Sequence, residues 1–269
     1  MLAAMELSDK VAVVTGGASG IGRAMAARFV AEGMQVVIAD IEPEALAATA
    51  AEIGAHGVRV DVSDADSVAA LADEVVDRFG AVHLLCNNAG VGGGGRIADQ
   101  TLKDWKWVID VNLWGVVHGL HSFMPHLMVA PGGAHIVNTA SMAGLAAWPG
   151  IGPYNATKFA VVAISETLAI ELADTNVGVS VLCPGVVNTN IFTSQRNRPE
   201  HLRNDDKKVD ARQANAQLMQ QLGIDAAVVA DRVADAVRTG QFWIFTHPEL
   251  IEAVQTRHDG ILAARDRAL

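Results

Sequence analysis

Tyr154 and Lys158 stand four residues apart in Tyr154-Asn155-Ala156-Thr157-Lys158, and Tyr154 is the only tyrosine in a chain of 269 residues. On a helix that spacing is one turn, so the phenol and the ammonium share a face. A phenol (pKa ~10) and a lysine (~10.4) are each poor bases at neutral pH. A fixed positive charge beside the phenol favours phenolate, which can take a proton from an alcohol. Unit charges ~4 Å apart at an effective dielectric of ~20 interact by about 4 kcal/mol, enough to bring the phenol near pH 7. The competing reading is an amphipathic helix with one aromatic and a lysine whose stem runs along it to water. The pair alone does not choose between them.

Such a pair needs a scaffold, and the surrounding pattern predicts one. Short β-branched runs at Val11 to Thr15, Gln35 to Ala39, Val58 to Val62, Val82 to Asn87, His135 to Thr139, Val177 to Leu182 and Phe242 to Phe245 alternate with helical patterns. The helices are expected to start near Gly20, Glu42, Asp64, Thr101, Pro153 and Asp225. The strands are almost continuously apolar, as expected where helices cover both faces of a parallel sheet. The expected fold is α/β, a single-domain (1–269) doubly wound Rossmann sheet of seven parallel strands in the order 3-2-1-4-5-6-7.

The first strand runs into Thr15-Gly16-Gly17-Ala18-Ser19-Gly20-Ile21-Gly22 and then a helix. Glycines let the backbone approach a pyrophosphate, and the helix N-terminus offers free N–H groups. Asp40 ends the second strand 18 residues after Gly22. A carboxylate there can accept hydrogen bonds from an adenosine ribose and repels a 2′-phosphate. Ile41 follows it instead of an arginine, and Ser19 instead of a basic residue precedes Gly20, so the expected cofactor is NAD. An aspartate that simply ends a strand would account for Asp40 but not for the whole set.

Two further stretches stand out. The helix after Tyr154 continues as Phe159-Ala160-Val161-Val162-Ala163-Ile164, apolar on every side, which predicts cover from a second subunit and hence a homo-oligomer, dimer or tetramer. From Asn188 to about Leu222 charged residues crowd a stretch of little strand character, read as a small helical substrate lid. Its mixed charges are most simply a solvated face; the other use for Arg196 or Arg198 would be to grip a phosphate-bearing substrate.

Composition narrows the partners. The net charge is −10, which argues against nucleic acid or an anionic membrane surface. No apolar run reaches the ~20 residues of a membrane span. Met1 to Leu7 lacks the basic start and apolar core of a secretion signal, so a cytoplasmic location is expected. Cys86 and Cys183 read as reduced, buried thiols, and no cysteine or histidine spacing suggests a metal.

With the glycine turn, Asp40 and Tyr154-x-x-x-Lys158 assembled, the chain resembles the short-chain dehydrogenase/reductase family over nearly its full length. Further motifs stand in order: Asp61-Val62, Asn87-Asn88-Ala89-Gly90, Asn112, Ser141 and Pro184-Gly185-Val186-Val187-Asn188-Thr189. The resemblance implies that Ser141 holds the substrate oxygen and Tyr154 exchanges its proton. It implies that Lys158 lowers the tyrosine pKa and holds the nicotinamide ribose, while Asn112 supports a water-linked proton path. Gly16, Ser19, Gly20, Ile21 and Gly22 would take the pyrophosphate, Asp40 and Ile41 the adenosine ribose, and Asp61 and Val62 the adenine. Asn88, Ala89 and Gly90 would pack near the other ribose, with Val187 and Thr189 at the nicotinamide amide. The implied activity is hydride transfer between NAD(H) and a secondary alcohol or ketone. A pocket wall of Met142, Leu145, Trp148, Val186, Ile191 and Phe192 favours an apolar substrate. The alternatives are an NADPH-dependent 3-oxoacyl reductase and a non-catalytic NAD-binding scaffold.

Overall fold

The computed structural model describes residues 5–204 and 222–266. Seven parallel strands form one sheet in the order β3-β2-β1-β4-β5-β6-β7. They are β1 Val11–Thr15, β2 Gln35–Asp40, β3 His56–Arg59, β4 Leu84–Asn87, β5 Ala134–Thr139, β6 Val177–Cys183 and β7 Trp243–Phe245. The helices are α1 Gly20–Ala31, α2 Pro43–Ile53, α3 Ala65–Phe79, α4 Leu102–Ile109, α5 Gly115–Met128, α6 Gly152–Glu171, α7 Ala226–Thr239 and α8 Ile251–Asp266.

Alternation along each strand sends neighbouring side chains to opposite faces. Ala12 and Val14 of β1, with Val36 and Ile38 of β2, face α1 and α7 and pack with Met25, Phe29, Val229 and Val233. Val11, Val13 and Val37 face the other way, with Leu71, Val75, Phe123 and Leu127 from α3 and α5. Both faces are therefore dry, which is why the strand sequences are apolar throughout. Inside this core His135 of β5 sits within 2.7 Å of Ser180 Oγ, and that hydroxyl donates to the Gln241 carbonyl at 2.6 Å. The imidazole Nε2 must then donate, and burial favours the neutral ring, lowering its pKa to about 4.

Three elements depart from the sequence expectation. The third strand was expected over Val58 to Val62 but ends at Arg59, because its sole ladder is to β2 and β2 stops at Asp40, the partner of Arg59. Val62 instead packs below Gly115, where a Cβ would lie 2.9 Å from its side chain. The helix that starts after the Thr101–Asp104 capping box is interrupted by a π-helical turn, Asp110–Trp114, between α4 and α5. After β7 a further helix, α8, follows, and its Arg257 lies over the Phe159 ring of α6 at 5.1 Å. Part of the apolar face expected to meet another subunit is thus covered by the same chain, while Ile170 stays 78% exposed.

Of the expected lid, residues 205–221 lie outside the described residues. Its start forms a strap: a short 3₁₀ segment, Asn190–Asn197, capped by Thr189, and a second, Glu200–Leu202.

Candidate active site

The glycine turn is built by close approach. Gly16 has a φ of 64°, and a Cβ on it would sit 2.8 Å from the Ala89 Cα. Thr15 ties the same two loops: its hydroxyl accepts from the Asn88 and Ala89 N–H groups at 2.9 and 3.1 Å. Asn88 returns a bond to the Thr15 carbonyl at 3.0 Å and accepts from Thr139 at 3.3 Å, so the ends of β1, β4 and β5 are one unit. Ser19, the first cap of α1, makes no side-chain capping bond, and no acidic residue stands in the first turn. The N–H groups around Gly20, Ile21 and Gly22 therefore have no side-chain acceptor of their own, which fits a pyrophosphate.

Asp40 is fixed beside this turn. One carboxylate oxygen accepts from Ala18 N–H at 3.0 Å and the other from Glu42 N–H at 3.1 Å. Burial pushes its pKa up, while those two N–H groups pull it down. Ile41 follows, offering no charge. Asp61 accepts from the Ser63 N–H and hydroxyl, and Val62 beside it is buried.

The chemical groups gather at the ends of β4 and β5. Ser141 leaves β5, caps the turn Met142–Gly144 and donates to the Pro184 carbonyl at 3.3 Å. Gly144 lets that turn press on α6: a Cβ there would be 2.5 Å from the Lys158 carbonyl. Lys158 is 3% exposed and donates from Nζ to the Thr139 carbonyl at 2.7 Å. Its burial lowers its pKa to about 8, with Cys183 opposing. The ammonium stands 5.5 Å from the centre of the Tyr154 ring. A chain of buried amides, Asn87 to Asn138 to the Ser165 hydroxyl, anchors the middle of α6 to the sheet.

The phenol does not follow the expectation of a lysine-lowered pKa. Tyr154 is half-buried as a residue, but burial around its hydroxyl pushes its pKa up; the hydrogen bond with Ser141 opposes the rise. Lys158 turns its proton donor to Thr139, a contact that the four-residue spacing could not reveal. Asn112 lies in the π-helical turn, fully buried. Its amide is engaged at both ends by Val91, whose N–H it accepts at 2.7 Å and whose carbonyl it meets at 2.9 Å. The side chain thus fixes the loop after β4. Gly90 lies between Asn112 and Lys158: a Cβ there would be 3.4 Å from Asn112 Oδ1 and 3.7 Å from Lys158 Nζ.

The strap closes the remaining side. Val187 is bridged to Ile224, and Thr189 lies against Gly20, where a Cβ would be 2.9 Å from the threonine methyl. Arg196 and Arg198, considered as grips for a phosphate, are both engaged by carboxylates. Arg196 meets Glu42 at 2.6 and 3.1 Å, and Arg198 meets Asp104 at 2.7 Å while lying over the Trp107 ring. Glu42, Asp104, Thr139 and Gly144 were not among the expected site residues; the Ser141-Met142-Ala143-Gly144 run next to a candidate serine is the one signal that could have found the last. Of the expected pocket wall, Leu145, Val186 and Ile191 are half-buried and Phe192 exposed, whereas Met142 is 2% exposed and belongs to the core. Trp148 borders an open groove of about 640 Å³ against α8. Among the described residues no group of three or more His, Cys, Asp or Glu is placed to hold a metal, and no helix is long and apolar enough to cross a membrane.

Comparisons with known proteins agree with this arrangement. A short chain dehydrogenase/reductase from Burkholderia phymatum, solved in complex with NAD, superposes with a TM-score of 0.92 at 43% identity, covering 97% of this chain and 96% of that one. A CLA biosynthesis dehydrogenase/reductase from Lactiplantibacillus plantarum is 33% identical across 94% of this chain and 93% of its own length. The probable oxidoreductase EphD of Mycobacterium tuberculosis is 38% identical over 85% of this chain, which spans only 39% of that longer protein. Residues 10–200 match the short chain dehydrogenase family. The sheet order is that of these relatives, and the chain belongs to the short-chain dehydrogenase/reductase family of oxidoreductases.

Proposed function

We propose that this protein transfers a hydride between NAD(H) and a secondary alcohol or ketone of apolar character. The observation that carries the reading is the convergence of Ser141, Tyr154 and Lys158 beside a glycine turn whose ribose corner holds Asp40. Asp40 and Glu42 place two carboxyl groups at that corner, and Arg196 reaches it already neutralised by Glu42, so a 2′-phosphate would meet net negative charge. The NAD-bound relative supports the same choice.

Each side chain has a part in this reaction. Bound nicotinamide supplies the carbon that gives or accepts the hydride. Ser141 holds the substrate oxygen, its single hydroxyl proton turning from the Pro184 carbonyl to do so. Tyr154 takes the hydroxyl proton in oxidation and returns it in reduction. Lys158, fixed by the Thr139 carbonyl, is placed to hold the nicotinamide ribose and to add positive charge near the phenol. Asn112 is a positioning residue that sets Val91 and hence Gly90. Val187 and Thr189 border the nicotinamide amide, and residues 188–222 act as the substrate lid.

Exposed Leu102, Trp114 and Ile170 support a homo-oligomer, and buried Cys86 and Cys183 suit a reducing cytoplasm. Steady-state rates with NADH or NADPH over a panel of apolar ketones, and with NAD+ or NADP+ over the matching secondary alcohols, test the reading. Faster turnover with NADPH would replace it with the 3-oxoacyl reductase alternative. NADH binding with no turnover that depends on Tyr154 would leave a binding scaffold.

A further inference from the structure

Residues 189–204 are fastened to the rest of the chain by two ion pairs that the proposed chemistry does not use, and the two are unlike. Arg198 is buried and Asp104 half-buried, with side chains 4% and 16% exposed, and Asn204 adds a bond to the same carboxylate at 2.8 Å. Breaking that pair would strand charges away from water. Arg196 and Glu42 are 36% and 28% exposed, so water can take over both partners.

From Thr189 to these points the strap crosses the carboxyl edge of the sheet. Thr189 touches Gly20 after β1, Ser194 accepts from the Gly92 N–H after β4 at 2.9 Å, and Arg196 and Asn197 both reach Glu42 after β2. Glu42 is the residue whose N–H holds Asp40. The strap therefore spans the crevice in which an open α/β sheet takes a dinucleotide, from the pyrophosphate turn to the ribose corner.

We propose that the Arg196–Glu42 contact is a releasable clasp over the nucleotide crevice, with Arg198–Asp104 as its fixed end, and that opening it governs how fast a dinucleotide enters and leaves. The proposal rests on the NAD(H) reading of the crevice. A contact between two protein groups favours the closed strap whether or not a nucleotide lies beneath it. Weakening it should speed entry and exit together and leave affinity nearly unchanged. Loss of a direct nucleotide contact would instead raise the dissociation rate and Kd in step.

Stopped-flow fluorescence with NADH separates these cases. For Arg196→Ala, association and dissociation rate constants should each rise about fivefold (~1 kcal/mol), with Kd changed by less than about twofold. High salt should raise both constants of the unaltered protein toward those of the variant. Unchanged rates would overturn the clasp, and so would a rise in dissociation alone with a matching rise in Kd. If the unaltered protein bound no NADH, the nucleotide reading would fail, and chymotrypsin cleavage after Phe192, followed by mass spectrometry, would still judge the latch. Arg196→Ala should be cut there several-fold faster than the parent, and equal cleavage would overturn the proposal.

Discussion

The floor of the site and the strap above it are held by different means. On the floor, Lys158 is fixed to the Thr139 carbonyl, Ser141 to the Pro184 carbonyl and Asn112 to both polar atoms of the Val91 backbone. The strap also has such a bond, Ser194 to the Gly92 N–H, but its two ion pairs are side chain on side chain, Arg196 on Glu42 and Arg198 on Asp104. A backbone partner belongs to a strand end or loop that the sheet already fixes, so it holds its group in a set place. A side-chain partner can let go without disturbing the sheet. The groups that must meet a reacting atom are on the first kind of support, and the groups that only need to cover it are on the second.

The largest effect expected on the floor is that of Tyr154→Phe, which should lower turnover by about 10³-fold and leave NADH binding intact, since only the proton-transfer group is lost. Parallel turnover and fluorescence binding measurements check this, and equal loss of both would place Tyr154 in binding instead. Next is Arg198→Met, which leaves the half-buried Asp104 without its cation and should cost about 2 kcal/mol in denaturant unfolding. Arg196→Met, by contrast, should cost less than ~1 kcal/mol. Similar losses for the two would erase the distinction drawn within the strap.

A third test bears on what the floor gives up for its geometry. Lys158 carries a pKa lowered to about 8 by burial. Its neutral form is the one that the fold favours, so stability should rise as the pH goes from about 8 to about 10.5, where the unfolded chain still holds the proton. At pH 7, Lys158→Met should lose turnover yet unfold at higher temperature, by up to about 3 kcal/mol less whatever the stranded Thr139 carbonyl costs. A lower melting temperature would mean that the Thr139 bond outweighs the buried charge.

His135 gives a comparable pH signature away from the site. Its folded pKa of about 4 lies below the ordinary ~6.5, so its contribution is full above pH ~6.5 and is lost as the pH falls toward 4. His135→Leu should flatten that limb of the stability profile, a change of about 3 kcal/mol at most between the two ends. An unchanged limb would assign the acid sensitivity to other groups.

Much of this arrangement was legible in the residues because its signals are local. The glycine turn, Asp40 at a strand end and the Tyr154–Lys158 spacing each depend on a few neighbouring residues, and the apolar strands on a two-faced sheet. What was not legible depends on partners far along the chain. The third strand stops at Arg59 because β2 stops, not because of anything in Val58 to Val62. Arg196 meets a carboxylate 154 positions away, and Lys158 a carbonyl 19 positions away. The direction of the Tyr154 pKa was missed for the same reason: a pairwise charge argument omits the enclosure of the hydroxyl, which works in the other direction. Helix α8 escaped because its sequence lacks an apolar stripe, and residues 255–265 are indeed exposed.

The solitary phenol also makes the protein its own spectroscopic probe. Difference absorbance of tyrosinate can arise from Tyr154 alone, the chain having no other tyrosine. Since the surroundings of its hydroxyl push the ionisation up, the protein by itself should give a signal only above the ordinary ~10. Adding NAD+ brings a positive charge to the same site, and the midpoint should slide downward. One wavelength would then record, without labels or substitutions, how much of the base is made by the protein and how much by the cofactor.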